Sequence, residues 1–136
     1  MAYAARTQVA PQKTRAEIEA YLSRQGASRI GILTDHKFAC VFFDMKERRL
    51  RFQLIIKERR SATLTDQHMR ASWRALLLCI KAKMTSVESG IETFDEAFLA
   101  HVVVPDSDKT IYEHMRETLP QIVRGEAPLR LTGSAS

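Results

Sequence analysis

The sequence predicts an α+β fold: a three-stranded antiparallel meander packed by one long amphipathic helix and flanked by short helices. Two changes of hydrophobic period support this. Between residues 29 and 56 apolar positions recur every second residue, and the runs are separated by turns too short for a crossover connection. From residue 66 the period becomes helical and holds to Gly90. A chain of 136 residues with 45% hydrophobic content builds one core without disulfides or metal. The expected organisation is a flexible arm over 1–12, a single domain over 13–125 and a flexible tail over 126–136.

The elements follow in order. Thr14 with Glu17 three residues on has the pattern of a capping box, opening a helix over 15–25 with Ile18, Tyr21 and Leu22 on one face and Gly26 as its stop. Arg29–Thr34 is apolar and β-branched, and Asp35-His36-Lys37 supplies a turn. Phe38–Asp44 is apolar on both faces, as expected of a central strand covered on both sides. Lys46–Arg49 is the next turn. Leu50, Phe52, Leu54 and Ile56 then alternate with more polar neighbours. Lys57–Thr65 reads as a charged loop. In the long helix Met69, Trp73, Leu76, Leu77, Ile80, Met84 and Val87 form one stripe. Trp73 with Phe38, Phe42 and Phe52 is the expected core, and Cys40 and Cys79 read as buried thiols. Thr93 with Glu96, and Thr110 with Glu113, are two further capping boxes. Val102–Val104 is a strand fragment, Pro120 restarts the last helix, and Gly125 ends it.

Charge is the other informative feature. The formal net charge is +5, and it is unevenly spread. Residues 46–83 carry eleven Lys and Arg against three acids, whereas residues 84–136 carry four against nine. Such polarity fits either an anion-binding face or self-association through opposite-charge faces. On the long helix Arg70, Arg74 and Lys81 lie along one flank of the apolar stripe, and the loop before it holds Arg59 and Arg60. These five are the candidate nucleic-acid-binding residues, acting through phosphate contacts. No aromatic residue is placed for base stacking, so sequence-specific readout is not expected.

Other chemistry finds little footing. The acidic residues Glu88, Glu92, Asp95 and Glu96 with His101 fall on separate elements, and Glu96 is absorbed by a cap. The four histidines share no HxH or HExxH spacing, no serine sits in a GxSxG elbow, and the five glycines form neither a P-loop nor GxGxxG. The expectation is a protein with no catalytic residues, no metal and no cofactor, leaning away from an enzyme. With no signal-like leader and no long apolar run, a cytoplasmic protein without a membrane partner is expected.

The stretch Trp73-Arg74-Ala75-Leu76-Leu77-Leu78, Ile80-Lys81-Ala82-Lys83, Val87-Glu88-Ser89-Gly90-Ile91, Thr93-Phe94, Glu96, Phe98-Leu99-Ala100-His101 and Pro105-Asp106 resembles a family of small uncharacterised bacteriophage and prophage proteins. The helix and sheet before it are similar too. The resemblance implies a context in the host cytoplasm, acting on phage DNA or against host machinery. Together with the basic segment, the expected partner is nucleic acid (DNA or RNA), or alternatively a host enzyme or defence complex that the chain would block. It carries over no functional residue.

Overall fold

A computed structural model describes residues 9–126 of the chain. Helix α1 spans Pro11–Arg24, strands β1, β2 and β3 span Ser28–Thr34, Phe38–Met45 and Arg48–Ile55, and helix α2 spans Ala62–Glu88. Short helices α3 (Phe94–Phe98), α4 (Ile111–Met115) and α5 (Leu119–Val123) follow, with a 3-10 turn at Leu99–His101. The sheet is antiparallel in the order β1-β2-β3, and the fold is α+β, as the change of period predicts. Of the arm expected over 1–12, residues 1–8 lie outside the described residues, as does the tail beyond Glu126.

Register decides which side chains reach the core. Val41 pairs with Ile32 and Phe52, and Ala39 and Phe43 pair with Leu54 and Leu50. With a two-residue pleat, these residues share the face covered by α1 and α2. Val41, Phe43, Leu50 and Phe52 are buried there with Ile18 and Leu22 of α1 and Trp73, Leu77 and Ile80 of α2. Phe94 and Phe98 of α3 close one end, their rings 4.7 Å apart.

Four expectations are corrected. The first is the start of α1. It begins at Pro11 with Ala10 as N-cap, so Thr14 lies inside the helix and is fully buried rather than capping it. Proline at the first helical position fixes the right φ and loses a hydrogen bond the helix would not make. The second concerns Phe38 and Phe42. They stand on the other face of the sheet, only half-buried, because the helices cover one face alone. The third is Cys79, which is exposed, being about 120° around α2 from Trp73 and outside the apolar stripe. The fourth is the start of α2. It begins a turn earlier than its apolar period, at Ala62, because the Ser61 side chain accepts the Leu64 N–H at 3.2 Å.

The boundaries set by local chemistry match. Both capping boxes form, with Thr93 accepting from Glu96 N–H and Thr110 from Glu113 N–H. Gly26, Gly90 and Gly125 have φ values of 94°, 77° and 74°, the left-handed conformation that ends a helix. The Val102–Val104 fragment reaches β3 through a Leu50–Val102 bridge.

Candidate nucleic-acid interface

The basic segment divides into two classes of cation. Those on the sheet and the middle of α2 are matched within the chain. Arg48 pairs with Asp95 at 2.6 Å, and Arg49 with Asp44 at 2.9 Å. Arg51 pairs with Glu113 and donates to the Asp108 carbonyl at 2.7 Å. Burial pushes the Glu113 carboxyl up, but the Thr110 backbone N–H and Arg51 outweigh it and hold the group below its ordinary range. Arg74 pairs with Glu17 of α1 at 3.0 Å, and the Lys81 ammonium sits 5.5 Å from the Tyr21 ring centre. Lys83 donates to the Ala97 carbonyl.

Those contacts also orient the helices. Arg15 lies over Trp73 at 5.6 Å, Glu17 meets Arg74, and Tyr21 meets Lys81, so α1 and α2 run in the same direction. Their positive N-terminal ends therefore lie toward the same side of the molecule. Neither has an acidic residue in its first turn, so neither macrodipole is compensated there.

The second class of cation lies at this end. Arg59 and Arg60 are exposed in the loop leading into α2, and Arg70 is on the third turn of the helix. Among the described residues none of the three makes an ion pair with a carboxylate, and the Arg70 Nε is buried without a hydrogen-bond partner. The loop is held in shape without using up its charge: Arg59 N–H donates to Thr65 Oγ1 at 2.9 Å, and its guanidinium contacts His68 Nδ1 at 3.2 Å. Burial, then the charges of Arg59 and Lys57, lower the His68 pKa and favour the neutral ring.

Of the five sequence candidates, the structure thus sets Arg59, Arg60 and Arg70 toward one end. Arg74 and Lys81 lie ~20 and ~30 Å along α2 from its start and are engaged by α1. Lys13 and Arg15, in the first turns of α1, were not candidates. Their signal is tertiary: the parallel placement of α1 sets its first turns toward the same end, with Arg15 over Trp73.

A second feature was hidden from the sequence. The uncovered face of the sheet forms an open groove of about 980 Å³ with Leu33, Cys40 and Phe42 on one side and Val102–Val104 on the other. Phe42 lies against Gly31, and Arg49 is 4.7 Å above its ring centre. The acidic set holds no common centre: Asp95 pairs with Arg48, Glu96 caps α3, and Glu92 accepts the Ser86 hydroxyl at 2.6 Å. His101 stacks on Phe52 at 4.0 Å, and burial lowers its pKa.

Comparison with family models, with curated proteins and with solved structures found no match. Among the described residues no helix is long and apolar enough to cross a membrane.

Proposed function

We propose that this protein is a non-enzymatic, phage-type accessory factor of the host cytoplasm that binds the phosphate backbone of DNA or RNA without reading sequence. The binding end is formed by Arg59, Arg60 and Arg70 at the N-terminal side of α1 and α2. One observation carries the reading: among the described residues these arginines make no ion pair with a carboxylate, whereas the sheet arginines and Arg74 are neutralised within the chain. Guanidinium groups not neutralised by a described carboxylate, beside uncompensated helix ends, suit phosphate, which accepts from both.

Fluorescence anisotropy with labelled single-stranded and duplex oligonucleotides tests it. Affinity is expected to fall steeply with salt. Arg59→Glu with Arg60→Glu should lower the slope of log affinity against log salt by about 1.5, the loss of two phosphate contacts. Arg74→Gln should change affinity far less. Absence of binding at low salt to any oligonucleotide refutes the reading.

A second reading has its own support. The groove on the uncovered sheet face, with exposed Ile55 further along it, fits a protein partner such as a host enzyme or defence complex that this chain would inhibit. A partner captured from nuclease-treated lysate and lost with Phe42→Asp favours that reading.

A further inference from the structure

The two edges of the sheet are treated differently. The Asp35 N–H donates to the Phe38 carbonyl at 2.8 Å, and the β1–β2 register runs regularly back to Gly31. Asp35, Leu33 and Gly31 therefore turn their backbone groups toward β2, and Ile32 and Thr34 turn theirs outward. Among the described residues no backbone hydrogen bond reaches those outward groups. The outer edge of β3 is covered toward its start: the Val103 N–H donates to the Arg49 carbonyl at 2.8 Å, and Val102 bridges to Leu50.

An open edge strand is usually guarded by lysine, proline or inward-pointing charge. The segment Gly31-Ile32-Leu33-Thr34 has none of these, and the Leu33 side chain is 60% exposed beside it. We infer that β1 pairs antiparallel with β1 of a second copy, about a two-fold axis at Leu33. That register sets Ile32 of each copy opposite Thr34 of the other, as hydrogen-bonded pairs. The outward groups found free then form four intermolecular bonds. Leu33 falls on the axis at a non-hydrogen-bonded position, where Cα atoms approach to about 4.5 Å, and it is covered by its own counterpart.

The ends of the segment limit the contact. A bulge lies between Ser28 and Gly31, with Arg29 at φ 50° and drawn to Asp44 at 3.4 Å, away from the edge. The Asp35–Lys37 turn bounds the other end. The contact is isologous and a single partner uses up the β1 edge, so pairing gives a closed dimer rather than a filament. The contact is uncharged and differs from a meeting of basic and acidic faces.

Sedimentation velocity of the full chain without nucleic acid tests this, independently of oligonucleotide binding. A dimer is expected, and Leu33→Lys should halve the mass with an unchanged circular dichroism spectrum. Should that variant lose native structure, Thr34→Lys takes its place with the same expected result. In a Cys79→Ser background, Leu33→Cys should form an intermolecular disulfide on oxidation and Lys37→Cys should not. A wild-type chain that is monomeric at every soluble concentration, a dimer that survives a folded lysine variant, or failure of Leu33→Cys to cross-link overturns the inference.

Discussion

Thr14 and Thr93 each stand three residues before a glutamate, and the chain uses them in opposite ways. Thr93 caps α3, and its hydroxyl and the Glu96 carboxylate each take a backbone N–H. Thr14 is inside α1 with its Oγ1 buried and without a hydrogen-bond partner among the described residues, while Glu17 reaches across to Arg74. The difference is not visible in the pattern, because a capping box and a buried helical threonine share the same spacing. What separates them is Pro11, which starts the helix earlier. The unpartnered hydroxyl has a measurable consequence. Thr14→Val keeps the β-branched shape and removes the group whose desolvation is uncompensated. It should raise stability by about 1 kcal/mol, read as a higher urea midpoint at unchanged slope. A lowered midpoint would mean that the hydroxyl is bonded after all.

Among the elements, β2 shows how far alternation carries and where it stops. The strand is apolar on both faces, and its central position follows from that. Which face receives the helices does not follow, since Ala39-Val41-Phe43 and Phe38-Cys40-Phe42 are equally hydrophobic as strings. Tertiary packing chose the first set, and Phe42 is accommodated on the open face by lying across a glycine. A Cβ built on Gly31 would stand 2.4 Å from Phe42 Cε2, so even the smallest side chain must displace the ring. Its φ is not in the left-handed region, so the backbone itself tolerates alanine. Gly31→Ala is therefore expected to cost on the order of 1 kcal/mol in the wild type through overpacking. In a Phe42→Ala background it should be neutral or stabilising, because alanine is better than glycine in a strand whose space is free. A double-mutant cycle of chemical unfolding measures the coupling, and additive effects would show that the ring is not what excludes the side chain. Helix ends, by contrast, were legible almost to the residue at Thr93, Thr110, Gly26 and Gly90, since caps and left-handed stops are local chemistry.

Across the whole molecule, the sequence polarity between residues 46–83 and 84–136 is largely resolved by folding. Arg48 with Asp95 and Arg51 with Glu113 join the basic segment to the acidic one inside a single chain, at separations of 47 and 62 residues. Charge counts along the sequence could locate the basic segment but could not sort paired from free cations, because pairing depends on where the later acids fold back. The two classes should have opposite phenotypes. Arg51 is half-buried against Glu113 and the Asp108 carbonyl, and Arg51→Gln leaves the carboxylate without its main cation. It should lower stability by about 1–3 kcal/mol, in the range of hydrogen bonds to charged groups, and leave oligonucleotide affinity at a fixed salt concentration nearly unchanged. Arg60 is exposed and makes no ion pair among the described residues, so Arg60→Gln should shift stability by no more than about 0.5 kcal/mol. The same change should reduce the salt slope of binding by about 0.8. Measuring unfolding and binding on both variants separates the roles. If Arg51→Gln weakens binding as much as Arg60→Gln does while remaining folded, the phosphate track runs over the sheet and not only past the ends of the helices.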